Sequence, residues 1–296
     1  KVRVIVPRRG DIADRNGTPL AMTRDIRRVT FDPERLPKAR DGESPDPHSA
    51  ARTAVLLAAL LGLRREDVLH AIMKNKKEFG PGEHARNRII KDDVTEVEKR
   101  TLEWFLSNKS YKDVLRGTVC SNVHERVYAG GDSSTALLGL TIPGSYGTTI
   151  GSHGLERFAN TALAGSLGWL EARVDPKGVP MPSAQSAIVS VADGANLRLT
   201  VDLDVQRICA AALDKCVQEH TPKAATAIVL DPGTGDVLGM VSRPSRDPAD
   251  RSPMDKSQSQ LINRALELYE PGSVMKPITW CIALSAGVAR TDEVFH

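Results

Sequence analysis

Glu270-Pro271-Gly272-Ser273-Val274-Met275-Lys276-Pro277 is the stretch on which the reading turns. Pro271-Gly272 breaks the chain immediately before an apolar run of helical period over residues 273–286, which places Ser273 at a helix N-terminus. Lys276, three positions on, falls one turn later on the same face. That spacing brings an amine close to a hydroxyl. A serine hydroxyl is a weak nucleophile at neutral pH, so acyl transfer needs a neighbouring base, and a partly desolvated lysine can serve as one. Free backbone N–H groups at the helix start would favour a developing oxyanion. As a bare pattern, S-x-x-K arises by chance about once in a chain of this size. On these four residues alone, an N-capping serine and a solvated lysine explain the sequence better than chemistry does.

Outward from this stretch, the preceding residues read as a compact α/β or α+β start. Leu197-Arg198-Leu199-Thr200-Val201 alternates like a strand, and residues 204–218 carry Ile208, Cys209, Ala212, Leu213, Cys216 and Val217 on one expected helix face. Residues 225–230 and 237–241 flank Asp231-Pro232-Gly233-Thr234-Gly235-Asp236, which predicts a β-hairpin. Gly233-x-Gly235 lacks a third glycine and sits in that turn, which argues against phosphate binding. A boundary near Asp193-Gly194 divides the chain into residues 1–192 and 193–296.

The first part reads differently. Asn16-Gly17 and neighbouring turn signals punctuate short apolar pieces such as Val2, Val4, Val6 and Ile12. From about residue 49 to 116 the pattern turns helical: Val55, Leu56, Ala59 and Leu60 share a face ending at Gly62, a second helix is expected over residues 66–79, and a third is opened by a Thr95-x-x-Glu98 capping box. From Val119 to Val191 the signals are β and turn. Arg9, Arg15 and Asp14 suggest a structural ion-pair and turn set, and Glu156 a carboxylate that fixes a turn. His153 beside Ser152 reads as a solvated loop pair. Trp104, Trp169 and Trp280 are too scattered for a sugar-stacking platform.

Composition excludes several classes. The 296 residues carry 40 Lys and Arg against 37 Asp and Glu, a net charge of +3, with 41% hydrophobic residues. Disorder, a fibre and a disulfide-dense miniprotein are ruled out. The first 40 residues hold a net +6, but the basic residues are interleaved with turns and Asp and lack aromatic neighbours, which speaks against nucleic acid. No apolar stretch reaches the roughly 18 residues of a membrane span. Cys120, Cys209, Cys216 and Cys281 form no C-x-x-C pair and do not cluster with His at metal-ligand spacing, so no metal or other cofactor is expected. Cys209 and Cys216 stand about 10 Å apart along a helix axis, too far for a mutual disulfide.

The ordered motifs resemble the extracytoplasmic part of a class B penicillin-binding protein, a peptidoglycan D,D-transpeptidase; S-x-x-K, S-D-N and K-T-G are the motif set of penicillin-binding proteins. Arg9-Gly10-x-Ile12-x-Asp14-Arg15-Asn16-Gly17-x-x-Leu20-Ala21 resembles the opening motif of that family's N-terminal module. Arg126-x-Tyr128, Gly139, Gly154-Leu155-Glu156 and Leu163-x-Gly165 follow in the family's order. Leu199-Thr200-Val201-Asp202 with Gln206, the hairpin around Asp231, and Asn263-Arg264-Ala265 resemble the start of its transpeptidase domain.

The resemblance implies a multidomain α+β fold. Its elongated β-rich pedestal carries the helical lobe and is followed by the first part of a transpeptidase α/β domain. It also implies Ser273 as nucleophile and Lys276 as the base that takes its proton, D-Ala-D-Ala stem peptides as substrate, and acylation by β-lactams. Partners would be a SEDS-family glycan polymerase with other divisome or elongasome proteins, and a single transmembrane anchor would lie upstream of Lys1. The sequence departs from the pattern in lacking S-x-N and K-T-G, and only 23 residues follow Ser273. The expectation is therefore a part of a longer enzyme. The alternative is a non-catalytic scaffold or partner-binding pedestal of a cell-wall synthesis complex.

Overall fold

A computed structural model describes residues 2–39, 45–74, 86–174, 180–250 and 259–294. They divide into two compact units, Lys1–Ala265 and Leu266–His296. In the first unit, β1 (Val2–Ile5) leads through Pro7 to β2 (Ile12–Ala13) and the long β3 (Pro19–Phe31). The β2–β3 turn is closed by one carboxylate: Asp14 Oδ1 accepts from the backbone N–H of Asn16 and of Thr18, both at 2.8 Å. Gly17 supplies the positive φ of 86° that this tight reversal requires.

After β3 the chain leaves the sheet and builds helices. Asp46 caps α1 (Pro47–Leu61) by accepting from Ser49 N–H at 2.9 Å, Pro47 stands where a missing N–H costs nothing, and Gly62 ends the helix with φ 64°. Helix α2 (Arg65–Met73) stops at Lys74, and the rest of the helix expected over residues 66–79 lies outside the described residues. Strand β4 (Arg88–Lys91) returns to pair with β3 at Val29–Phe31. The Thr95–Glu98 capping box forms as expected and opens α3 (Glu96–Ser107), followed by the short α4 (Lys109–Lys112). Burial works against ionising Glu98, yet its bonds to Lys91 and Thr95 prevail and hold its carboxyl below the usual range. Leu57, Leu61, Ile72, Leu102 and Leu115 pack with Val29 and Phe31 into one core.

The chain comes back as β5 (Thr118–Tyr128), antiparallel to β3 in unbroken register from Ala21 opposite Tyr128 to Phe31 opposite Thr118. Both crossings between the helices and the rest of the unit therefore run in this two-stranded ribbon. At its lower end a second core gathers Ile12, Leu20, Ala21, Leu138, Leu163 and Leu203.

The region read as β and turn contains short helices as well: α5 (Asp132–Leu138), then the β6–β7 hairpin (Thr141–Pro143 with Thr149–Gly151), α6 (Gly154–Phe158) and α7 (Asn160–Leu163). The signal of α5 is weak because, apart from Leu138, it buries Ser133, Ser134, Thr135 and Ala136 rather than large apolar side chains. Backbone packs on backbone here: a Cβ on Gly139 would stand 1.9 Å from the His153 carbonyl oxygen. Strands β8 (Gly168–Val174) and β9 (Pro180–Val189) complete a three-stranded sheet with β1.

At the centre of this base lies Glu156, 0% exposed. Its Oε2 accepts from Arg9 Nε and its Oε1 from Arg126 Nε, each at 2.7 Å. Arg9 also donates to the Glu156 carbonyl at 2.9 Å and to Asn160 Oδ1 at 2.9 Å, and Arg126 donates to the Gly10 carbonyl at 2.8 Å. Arg9 thus pairs with Glu156 and not with the nearby Asp14, which the turn already uses. Tyr128 lies beside this cluster, where burial, and next the Glu156 charge, push its hydroxyl well above the usual range.

Leu197–Arg198 (β10) pairs in parallel with β2, and the expected strand ends there because Asp202 begins the next helix. Helix α8 (Leu203–His220) and the hairpin β11 (Ala225–Leu230) with β12 (Val237–Arg243) follow as read from the sequence. The buried face of α8 differs from the expected one. Gln206, Cys209, Ala210 and Leu213 face inward, while Ile208 is 69% exposed and Ala212 is exposed too.

Replacing Glu156 by Gln keeps the shape and removes the charge that two buried guanidinium groups share. Breaking a buried ion pair typically costs about 3–5 kcal/mol, so the urea midpoint of E156Q is expected to fall steeply. A midpoint within error of the parent would contradict the role given to Glu156.

Candidate active site

Ser273 lies in the second unit, in a single 3-10 turn (Gly272–Val274) that runs directly into α9 (Met275–Ser285). The regular helix starts two residues later than the sequence pattern suggested. Pro277 explains the shift: it has no N–H to donate to the Ser273 carbonyl, so the first turn tightens to i→i+3 bonding, with Val274 N–H donating to the Pro271 carbonyl at 3.1 Å. Gly272 takes φ 55° at the entry. Ser273 and Lys276 stand one turn apart on an exposed face, and among the described residues no hydrogen bond joins them.

Helix α9 is apolar on several sides, with Ile278, Trp280 and Ile282 all exposed. A shallow, open depression of about 560 Å³ runs along Pro277, Ile278, Cys281, Ile282, Ser285 and Ala286, a face that includes neither Ser273 nor Lys276. The chemistry available to this unit alone is a nucleophile and an amine at a helix start. A second oxyanion donor is not supplied by the residues of the motif.

The first unit carries the sequence-named Gln206, which is fully buried and does more than pack. Its Nε2 donates to the carbonyls of Ser133 (2.8 Å) and Met240 (2.7 Å), and its Oε1 accepts from Met240 N–H at 2.8 Å. One amide side chain thereby joins α5, α8 and β12. Asp202, also named from sequence, caps α8 through Asp204 and Val205 N–H and accepts from Asn16 Nδ2 at 2.9 Å. The Asn16 bond, and then the two backbone donors, hold its carboxyl below the usual range. Sequence reasoning missed Arg243, whose Nη2 donates to Asp214 Oδ2 at 2.9 Å and lies 3.6 Å from Asp132. It also missed Thr135, whose hydroxyl donates to the Arg246 carbonyl at 2.8 Å. The only available signal was Arg243 directly after an apolar strand, where a buried guanidinium calls for a carboxylate on the packed helix.

The β11–β12 turn satisfies itself: Asp231 N–H donates to the Asp236 carbonyl, Gly235 N–H to the Asp231 carbonyl and Gly233 N–H to Asp231 Oδ1. None of the four cysteines is in a disulfide; Cys209 is buried, which raises its thiol pKa, and Cys281 is exposed. Among the described residues no cluster of His, Cys, Asp or Glu could hold a metal ion, and no helix is long and apolar enough to cross a membrane.

Comparison with known proteins places this geometry. Residues 4–199 match the family described as penicillin-binding protein dimerisation domain, and residues 225–296 match the penicillin-binding protein transpeptidase domain. The chain belongs to the class B penicillin-binding proteins. Stage V sporulation protein D of Bacillus subtilis (strain 168) is 30% identical over 286 residues, covering 94% of this chain and 38% of the relative. Peptidoglycan D,D-transpeptidase MrdA of Escherichia coli (strain K12) is 28% identical over 324 residues, covering all of this chain and 46% of the relative. The fold matches the crystal structure of penicillin-binding protein 2X from Streptococcus thermophilus with a TM-score of 0.63 at 23% identity, over 100% of this chain and 43% of that one. The chain thus spans less than half the length of these relatives.

The Arg243 bond lowers the Asp214 pKa, as the Asn16 bond does for Asp202. A carboxylate depressed in the folded state stabilises the protein above its unfolded value of about 3.9, and that contribution is lost as pH falls through the folded value. The thermal midpoint is therefore expected to drop as pH falls below about 4, and less steeply in D214N. Identical slopes would show that the Asp214 ion pair carries no acid-sensitive stability.

Proposed function

We propose that this chain is the pedestal and the opening part of the catalytic domain of a peptidoglycan D,D-transpeptidase, with residues 1–192 as pedestal and 193–296 as the start of the transpeptidase domain. One observation carries the reading. Ser273 sits at the start of α9 with Lys276 one turn on, in a segment that matches the transpeptidase family.

In this reading Ser273 Oγ attacks the carbonyl between the two D-Ala residues of a stem peptide while Lys276, as a neutral amine, takes the serine proton. The tetrahedral intermediate collapses, the C–N bond breaks, and the proton passes to the departing D-Ala amine. An amine of a second stem peptide then attacks the ester and regenerates Ser273, leaving a crosslink. The backbone N–H of Ser273 supports the oxyanion. A β-lactam acylates the same serine, because its strained amide presents the same carbonyl. Lys276 lies on an exposed face here, so the rest of a catalytic domain has the further task of desolvating it. A membrane anchor upstream of Lys1 and a glycan polymerase of the SEDS family as partner complete the proposal.

The test is intact-protein mass spectrometry of the polypeptide isolated from its own cells, with and without excess benzylpenicillin. The expected result is one penicilloyl adduct, lost in S273A and formed roughly 10²–10⁴-fold more slowly in K276A. A natural polypeptide that takes no adduct would overturn the enzymatic reading in favour of a scaffold.

A further inference from the structure

The β6–β7 hairpin reaches the surface without a charge. Residues 133–152 hold no Asp, Glu, Lys or Arg, in a chain of which 26% of residues are charged. For the buried α5 this is unremarked chemistry, but in the hairpin that follows Ile142, Pro143, Ser145, Tyr146, Gly147 and Ile150 are all exposed. A surface segment normally carries charged side chains, and clustered exposed apolar ones mark a contact. Ile142 and Ile150 are cross-strand partners, so they stand on one face of the hairpin. Phe158 ends α6, which packs against β7, and is 89% exposed.

The tip is closed by Gly144 N–H, which donates to the Thr148 carbonyl at 2.8 Å, and by Thr148, whose N–H and hydroxyl donate to the Ser145 carbonyl at 3.1 and 2.8 Å. Tyr146 stands in this turn with φ 59°, in the left-handed region that glycine takes freely and a bulky residue seldom does. A glycine would suit the turn better, so the turn does not account for the phenol ring. The side chain is 63% exposed and meets Trp169 edge to face, with ring centroids 5.9 Å apart and planes at 75°. Trp169 is opposite Val4 of β1, and the three residues back to Lys1 span at most about 11 Å of extended chain.

Two features select a lipid surface over a protein as the occupant. Ile142, Tyr146, Ile150 and Phe158 together expose on the order of 400 Å², short of the about 800 Å² that each partner gives to a stable protein interface. Binding at a bilayer surface needs only a few inserted side chains. An uncharged apolar tip with Tyr and Trp side by side is also the composition of a membrane–water boundary, where the aromatic body is buried and its polar end stays wet. We propose that the β6–β7 hairpin is a membrane contact, inserting Ile142, Tyr146 and Ile150 among the lipid headgroups. The inference rests on the proposed function only for the anchor upstream of Lys1. An anchor leading directly into β1 sets the Tyr146–Trp169 pair beside the bilayer, and the hairpin then fixes the tilt of the first unit on the membrane.

Co-sedimentation of the full chain with protein-free phosphatidylcholine vesicles reads the contact without an anchor and without Ser273. Binding is expected, and because the hairpin is uncharged the partition should change less than about 2-fold between low and about 1 M salt. Adsorption through the basic first 40 residues would instead be lost. Y146G is expected to weaken the partition about 5- to 50-fold, while Y146W binds as the parent does. The thermal midpoint of Y146G should change little, since relief at φ 59° offsets the lost ring contact with Trp169, so a folding defect cannot mimic the pattern. Hydrogen exchange on the vesicles should protect residues 141–151, and not α9 or α3, whose exposed Ile282 and Trp104 are the competing apolar surfaces. No binding to lipid alone would overturn the proposal in favour of a protein occupant. Binding that salt abolishes, that Y146G leaves unchanged or that protects α9 instead would overturn it as well. Penicilloylation is read separately, so failure of the lipid contact leaves the acyl-transfer reading intact, and failure of acylation leaves vesicle binding to be scored by itself.

Discussion

A single buried carboxylate holds three distant segments of this chain together. Glu156 is shut away from water, where an isolated charge would be prohibitively costly, and it is tolerable only because two guanidinium groups bond it, one at each carboxylate oxygen. Arg9 arrives from the loop before β2 and Arg126 from the end of β5. Once those contacts are set, the position of β2 beside β3 is set, and so is the parallel strand β10 that follows β2's outer edge. Asp14, released from any ion pair with Arg9, is free to organise the β2–β3 turn and to accept from Leu203 N–H at 3.2 Å, where α8 begins. The base of the molecule is thus organised from its polar centre outward, with the apolar cluster around Leu20 and Leu138 filling in around it.

How much of this was legible in the sequence depends on the kind of signal. Periodicity revealed α1, α3, α8 and the β11–β12 hairpin, because each couples a large apolar face or an alternating pair to explicit caps and turns. It failed for α5, whose buried face is mostly Ser, Thr and Ala with a single large apolar residue, Leu138, before a glycine, and it misplaced the buried face of α8. There a polar residue, Gln206, takes the inward position that a hydrophobicity count assigns to Ile208. Buried polar residues satisfied by backbone groups of another element are invisible to any reading that sorts residues by polarity. The Arg9–Glu156 pairing was missed for a related reason: the partners are 147 positions apart, and Asp14 is the nearer candidate along the chain.

The nucleophile segment shows the opposite case. Spacing and the Pro-Gly break point to Ser273 and Lys276, the ordered family motifs give the pair its weight, and the local backbone follows from the same residues, since Pro277 dictates the tight first turn. The surroundings that would make the pair reactive are not local. A lysine becomes a base through desolvation and neighbouring charge, and those are supplied by groups distant in sequence, as Gln206, Asp132 and Arg243 supply the links between α5, α8 and β12.

The insertion of the helices between β3 and β5 bears on how the chain reaches this state. Between Phe31 and Thr118 lie 86 residues, and these two are opposed at the top of the ribbon. Bringing them together as the ends of a loose coil forfeits chain entropy that grows with the logarithm of the loop length. The helices in between gain their contacts over short separations, with capping at Asp46 and Thr95 and a core of their own. Collapsing that segment first shortens the effective loop and delivers the two strand ends to each other, since Asp32 N–H already bonds the Gly117 carbonyl at 2.9 Å across the neck. The ribbon can then zip from the neck towards Glu156. Within the ribbon, the most widely separated pairings are thereby made the last and least costly to form.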